Sequence, residues 1–328
     1  MVRVLSDSDV ASVLDLEALL PIVADAFERQ YVGAVTRPDR PHYPIGTGLN
    51  PDQPTEPTGT GLCMPAYVHG ASYTATKLVT VCADNAERGL PTVTAQISLA
   101  DAETGQPAGY LAGNRITSAR TGCIGGLAAR ELAVDGSIDL AVIGAGTQAR
   151  WQTRAIAAAI GSALNSVRIY APSDSRFECA ADLSAEIDAP VDSVSSPHEA
   201  VDGATIVVTA TTSADPVFPG DTLAAGTLVV AVGAYTPEMQ ELDATTIERA
   251  DRVFGDVPDE AAETGDLREY PDLEVAPFGG VHAGEFGRHS DDEILVLESV
   301  GSAVLDAATA EYVLDRADEA EIGTTVLL

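Results

Sequence analysis

A chain of 328 residues, 45% of them hydrophobic, has ample material for a buried core and for two domains or one large one. Its formal net charge of −32 is spread along the whole chain and leaves no basic patch for phosphates, which argues against nucleic-acid binding. No apolar run approaches the roughly 18 residues of a membrane helix, and Met1-Val2-Arg3 leads into no signal-peptide core.

A cytoplasmic protein is therefore expected. Distributed acid with scarce lysine fits a cytoplasm of high salt, where screening relieves self-repulsion. Cys63, Cys82, Cys123 and Cys179 form no C-x-x-C pair and have no histidine cluster nearby, so they read as small buried hydrophobes. No metal site is expected.

In chain order, Leu16, Leu19, Leu20, Val23 and Phe27 recur at helical spacing after Asp15, with Gly33 beyond the end. Pro21 interrupts this pattern, so the helix starts either before it or at it. Residues 36–61 are rich in Pro, Gly and Thr and read as irregular chain with at most one strand. From Gly61 the texture becomes strand-like, in four runs at 61–67, 72–81, 92–99 and 109–112. Asp101-Ala-Glu-Thr-Gly105 has the makeup of a hairpin loop between the last two. An antiparallel sheet is expected there, followed by a helix over 117–132.

Leu140 to Ile143 is a β-branched apolar run of the kind buried on both faces. Gly144-Ala-Gly146 then turns the chain, and a helix is expected over 150–160. Such a turn aims free N–H groups and a helix N-terminus at one point, where a pyrophosphate can sit; Ala149 takes the third place of the looser G-x-G-x-x-A form. Further strands are expected at 166–170, 204–209 and 227–232, with a helix over 177–187. Residues 256–293 read as acidic loop. A last helix, over 302–320, carries Val304, Leu305, Ala308, Tyr312 and Val313 on one side.

Few residues stand out as chemical groups. Lys77 is the only lysine in the chain, and it lies on a predicted strand among apolar neighbours. An arginine stays charged at any useful pH, whereas a buried lysine can be tuned to exchange protons. Arg120 either grips a carboxylate bidentately or pairs with a surface acid, and Arg40 is a weaker candidate for the same task. The five histidines and the absence of a G-x-S-x-G elbow give a Ser/His/Asp hydrolase little support.

The chain resembles the ornithine cyclodeaminase/mu-crystallin family over nearly all its length. The stretches that carry the resemblance are 61–67, Gly89-Leu-Pro-Thr-Val-Thr-Ala95, 99–105, Ile116-Thr-Ser-Ala-Arg-Thr121, 144–148, 287–294 and Glu298-Ser-Val-Gly-Ser-Ala303. The resemblance implies an α/β fold, with a Rossmann nucleotide-binding domain (121–299) and a smaller α+β domain with a mainly antiparallel sheet (1–120 and 300–328). The smaller domain would bind substrate and form a homodimer.

It implies, too, an oxidoreductase that uses NAD or NADP on the C–N bond of a small amino, imino or oxo acid. Lys77 matches the lysine beside the reacting carbon, and Arg120 and Arg40 match the arginines that hold the substrate carboxylate. Thr92, Thr121, Gly144, Ala145, Gly146, Thr147, Gln148, Thr211, Val232, Gly233 and Ser299 fall where relatives hold the dinucleotide.

The chain departs from the family pattern twice. Tyr235 stands where cyclodeaminases carry an aspartate, and a phenol with pKa near 10 is no carboxylate base. That disfavours ornithine cyclisation, the alternative reaction; a non-catalytic NADP(H)-binding protein is the other alternative. Secondly, no acid follows the strand ending at Tyr170 to hold the ribose 2′-hydroxyl of NAD. Ser173, Ser175 and Arg176 can receive a 2′-phosphate instead, against the charge of Asp174, so NADP is slightly preferred.

Overall fold

The computed structural model describes residues 1–46 and 57–328, so part of the 36–61 stretch lies outside the described residues. Strand β1 (Val2–Leu5) and helix α1 (Asp7–Val13) open the chain. The Ser6 side chain accepts from the Asp9 amide while the Asp9 carboxylate accepts from the Ser6 amide, a capping box. Helix α2 (Leu16–Tyr31) runs straight through Pro21. The stripe Leu19, Leu20, Val23, Ala26 and Phe27 is buried, and that burial offsets the ~3 kcal/mol a helical proline costs.

Strands β2 (Val35–Thr36) and β3 (His42–Ile45) both pair with β4 (Gly59–Val68), so the stretch read as irregular holds more strand than expected. Pro44 is tolerated because, among the described residues, β3 pairs with β4 alone and so lies at an edge. Strands β4, β5 (Tyr73–Val81), β6 (Val93–Asp101) and β7 (Pro107–Ala112) form the expected antiparallel run. In the β6–β7 loop Asp101 Oδ1 accepts from the amides of Glu103 and Thr104, and Gly105 supplies a φ of 71°. Helix α3 (Gly113–Leu132) follows, starting four residues earlier than expected.

The next stretch alternates strand and helix. It comprises β8 (Ile138–Ile143), α4 (Thr147–Ile160), β9 (Leu164–Tyr170), α5 (Ser175–Ser184), β10 (Val191–Ser193), α6 (Pro197–Val201), β11 (Ile206–Thr209) and β12 (Leu228–Ala231). After these come α7 (Ala244–Arg249), β13 (Arg252–Gly255), α8 (Pro258–Ala261), β14 (Val275–Pro277), α9 (Gly279–His282) and β15 (Leu295–Glu298). All eight strands are parallel, in the order β10-β9-β8-β11-β12-β15-β13-β14. The order reverses between β8 and β11, the place where open parallel sheets bind ligands. Within 256–293, which the sequence reading left as loop, lie strand β14 and the short helices α8 and α9, while β13 and β15 on either side of it are further additions to that reading.

Helix α10 (Ala303–Glu319) and β16 (Thr324–Val326) complete the chain. Helix α10 packs on β4 and β5, and β16 pairs antiparallel with β1, which itself lies parallel to β7. The first sheet is therefore mixed, in the order β16-β1-β7-β6-β5-β4-β2, with β3 beside β4.

The described chain divides into two compact units. One comprises 1–15, 32–120 and 303–328; the other comprises 16–31 and 121–302. Residues 16–31, which the sequence reading places with the smaller domain, group with the parallel sheet. In that second unit the part of α3 beyond Thr121 lies against α4 at backbone distance. A Cβ on Gly126 would sit 2.6 Å from the Ala155 carbonyl oxygen, whereas one on Gly287 would meet nothing within 4 Å. Gly126→Ala is therefore expected to destabilise by about 1–3 kcal/mol, read as a lower denaturant midpoint, with Gly287→Ala close to wild type.

Candidate active site

In the first unit, Lys77 lies at the middle of β5, between Met64 of β4 and Ile97 of β6. The strand alternates, and Ala75, Lys77 and Val79 point to the buried side. An ammonium group there needs a partner. It has one in Asp306 of α10, whose Oδ2 accepts from Lys77 Nζ at 2.5 Å. The other oxygen, Oδ1, accepts from Arg120 Nε at 3.0 Å. Lys77, Arg120 and Asp306 are 2%, 5% and 1% exposed, so three charged side chains share one site almost closed to water.

Two cations share one carboxylate, and the triad keeps an uncompensated positive charge. Burial lowers the Lys77 pKa to about 8, with the Asp306 charge opposing and the Arg120 and Arg40 charges assisting. Burial pushes the Asp306 carboxyl up, but the Arg120 and Lys77 cations outweigh it and hold it below its usual range. Arg40 is half-buried just ahead of β3. This arrangement can take up one more anion and offers it a lysine tuned near neutrality. Sequence reasoning missed Asp306; its signal was an acid with apolar neighbours on both sides in Ala303-Val-Leu-Asp-Ala307.

Thr92 stands exposed one residue before β6 in this first unit, and nothing described joins it to the triad. Thr121 belongs to the second unit, is buried, and its carbonyl accepts from Gln152 Nε2 at 2.7 Å.

In the second unit, the remaining candidates gather at the carboxyl ends of the parallel strands. Gly144 to Gly146 join β8 to α4, Thr147 and Gln148 open α4, Thr211 follows β11, Val232 and Gly233 follow β12, and Ser299 follows β15. Gly144 has φ 125°, and a Cβ there would lie 2.5 Å from the Ala210 carbonyl oxygen, so only glycine fits. Gly146 caps α4 with no side-chain hydrogen bond, and a Cβ on it would meet nothing within 4 Å. The first-turn N–H groups of α4 are thus left for an outside acceptor, and Gln148 Oε1 is buried without a partner. An open cradle and uncapped amides fit the pyrophosphate of a dinucleotide, whereas the orphaned Gln148 oxygen, an acceptor, calls for a donor such as a hydroxyl or an amide.

Ser173 lies beyond β9, its hydroxyl 2.6 Å from that of Ser175. Arg176 donates to the carbonyls of Ala171 and Ser173, and its guanidinium sits 4.4 Å over the Phe177 ring. Asp174, 4.0 Å from Arg176, is 96% exposed. Tyr235, 38% exposed, has its phenol pKa pushed up by burial. Among the buried acids of this unit, Asp256, Glu241 and Asp266 also escaped the sequence reading. Asp256 accepts from the Ser299 hydroxyl and the Val300 and Gly301 amides, and Glu241 accepts from Thr209, Thr211 and Gly233. Among the described residues no group of three or more His, Cys, Asp or Glu could hold a metal ion. All four cysteines are free thiols, Cys123 and Cys179 buried and Cys63 and Cys82 half-buried.

Known proteins share this fold. The chain is 33% identical over 276 residues to Delta(1)-pyrroline-2-carboxylate reductase of Bacillus cereus, covering 81% of this chain and 84% of that one. The structure superposes with a TM-score of 0.91 on the Delta(1)-pyrroline-2-carboxylate reductase of Thermococcus litoralis in complex with NADH and L-proline. That pair is 28% identical over 99% of this chain and all of the other. An archaeal alanine dehydrogenase dimer with bound NAD superposes with a TM-score of 0.89, at 26% identity over 99% of both chains. The model of the Ornithine cyclodeaminase/mu-crystallin family matches residues 2–321, and with that coverage and these relatives the chain belongs to the ornithine cyclodeaminase/mu-crystallin family.

Proposed function

We propose that this protein is an NAD(P)-dependent oxidoreductase that reduces the carbon–nitrogen double bond of a small imino acid, as a ketimine reductase or an alanine-dehydrogenase-like enzyme. The observation that carries the reading is the buried Lys77–Asp306–Arg120 triad with its surplus positive charge. A substrate carboxylate would neutralise that charge, held by Arg120 with Arg40 assisting. The glycine turn before α4, with Thr147, Gln148, Thr211, Val232, Gly233 and Ser299, would hold the dinucleotide, which when bound supplies hydride.

Lys77 would give its ammonium proton to the imine nitrogen, so that hydride and proton together convert C=N to CH–NH, and would regain the proton from water. Asp306 keeps the ammonium oriented and charged, while Arg120 fixes the carboxylate so that the reacting carbon is held in place. Met64, the strand partner of Lys77, brings no charge to the site. Tyr235 offers no base for releasing ammonia from ornithine, which supports reduction over cyclodeamination. A lysine kept where binding alone would tolerate arginine supports turnover over mere ligand storage.

Three finer readings accompany this one. The Ser173–Ser175 hydroxyl pair and Arg176, with no acid directly after Tyr170, support NADP as at least the equal of NAD. The outer face of the first sheet carries Val4, Leu78 and Tyr110, each about two-fifths exposed, around Thr76 and Ser98. An apolar sheet face of this kind, in a chain so similar to a dimeric alanine dehydrogenase, supports a homodimer built on it. The dispersed charge supports a working environment of high salt. No described helix is long and apolar enough to cross a membrane.

The direct test is a spectrophotometric screen in molar KCl, following NADH and NADPH oxidation with pyrroline-2-carboxylate, related cyclic ketimines, and pyruvate plus ammonia. Oxidation with at least one imino acid is expected, with NADPH no weaker than NADH and ornithine left unconverted. Proline formed from ornithine with catalytic NAD would replace the reading with cyclodeamination.

The pH dependence follows from Lys77, which is protonated below about 8 and loses its proton above. Reduction is expected to fall as pH rises through that value, roughly tenfold per unit well above it. Asp306→Asn removes the group that raises the Lys77 pKa, so its break should move to lower pH, whereas Lys77→Ala should lose turnover with dinucleotide binding kept.

For the assembly, Leu78→Glu with Tyr110→Glu is expected to halve the mass in light scattering. Melting followed in low and in molar KCl should show the folded protein stabilised by salt.

A further inference from the structure

Between the ends of β11 and β12 lies a carboxylate that the proposed chemistry does not use. Glu241 is wholly buried in the second unit. Its Oε1 accepts from the Thr211 amide at 2.6 Å; its Oε2 accepts from the Gly233 amide and the Thr209 hydroxyl, both at 2.8 Å. Thr211 and Gly233 stand two residues beyond the ends of neighbouring strands, and one side chain ties them together. Glu241 is itself held from behind, since Asp266 Oδ1 accepts from the amides of Glu241 and Leu242, each at 2.7 Å. The space is full, because a Cβ on Gly233 would collide with the Thr211 carbonyl and lie 2.5 Å from Glu241 Oε1.

Three donors converge on two oxygens; a proton on Oε1 would face the Thr211 N–H, and only the Thr209 hydroxyl could accept one from Oε2. Burial pushes the Glu241 pKa up, and the donors from Thr209, Thr211 and Gly233 oppose it by favouring the ionised form. An uncharged side chain or a single backbone bond would hold these loops at lower cost. A charged brace makes sense where two loops must keep one fixed geometry for something else to touch.

We infer that Glu241 is a positioning residue for the dinucleotide: by accepting from Thr211 and Gly233 at once, it sets the spacing of the two strand-end loops that receive the cofactor. The inference rests on the proposed dinucleotide site. Glutamine at 241 would keep the shape and break the pattern. Its single amide oxygen can serve either Thr211 or Gly233, and its NH2 then meets the other N–H as donor against donor.

The experiment compares wild type, Glu241→Gln, Thr209→Val and Leu242→Ala. Leu242 is a buried core residue, so its alanine variant supplies a destabilised control. NADH and NADPH affinities are read by nicotinamide fluorescence, alongside KM for each dinucleotide and for the imino acid found active. Glu241→Gln is expected to weaken dinucleotide affinity about tenfold or more, the scale of one lost charge-assisted bond. Imino-acid KM, and kcat at saturating dinucleotide, should change less than about threefold by the same measure.

Thr209→Val removes one donor of three and suits a strand; it should weaken dinucleotide affinity about threefold, and it carries the test if Glu241→Gln does not fold. Leu242→Ala should lower the melting temperature and leave dinucleotide affinity alone. Wild-type affinity retained in both Glu241→Gln and Thr209→Val, or affinity lost as much in Leu242→Ala, overturns the inference. If the wild-type protein binds neither dinucleotide, it is the proposed site that fails.

Discussion

The first unit of this protein depends on one carboxylate serving two cations. Lys77 comes from a strand, Arg120 from a helix and Asp306 from another helix, and all three sit where water is nearly absent. Removing one member of such a buried set leaves an uncompensated charge, a loss of about 3–5 kcal/mol in comparable cases. The same shortage of negative charge makes the site useful. Burial lowers the lysine pKa, and because Asp306 is divided between Lys77 and Arg120, whose own charge assists the burial, it restores that pKa only in part. Stability and reactivity thus draw on a single imbalance, which a bound anion would relieve.

The nucleotide half solves a different problem by related means. Parallel strands end in backbone that cannot continue the ladder, and those ends must nonetheless be rigid if a ligand is to rest on them. Glu241 and Asp256 each collect amides from such ends, in the loops after β11, β12 and β15. Glu298, fully buried beside Asp266, Glu241 and Asp256, has its pKa raised well above the usual range by burial and by those neighbours' charges. In this crowded acidic region burial raises the pKa of Glu241, Asp266 and Glu298 alike, and at Glu241 and Asp266 converging N–H donors oppose it.

Local chemistry was legible in the sequence, and long-range chemistry was not. The strand, glycine turn and helix around Gly144 could be read because each part lies next to the other, and Lys77 because no other lysine competes for notice. Asp306 escaped because its partner lies 229 residues away and a helical acid ordinarily faces solvent. Glu241 and Asp256 were hidden among 50 acidic residues, where composition gives no reason to single out any one. Strands β1, β3, β13 and β16 are three or four residues long, and pairing decides them more than their own residues do. Pro21 misled in the other direction, since its local penalty is smaller than the burial of the stripe around it.

The position of α10 in the chain has a consequence for biosynthesis. The strand bearing Lys77 and the helix bearing Arg120 leave the ribosome before any strand of the parallel sheet, and Asp306 leaves after them all. While those strands are being made, the first sheet lacks both the helix that covers β4 and β5 and the counterion for its two cations. Closing a loop of such length is slow and entropically costly, and burying those cations earlier would be costlier still. The nascent first sheet must therefore keep its future interior hydrated, and an exposed, half-built sheet is a natural client for chaperones. The nucleotide half can mature meanwhile, so the two halves of one enzyme become competent at different moments of a single translation.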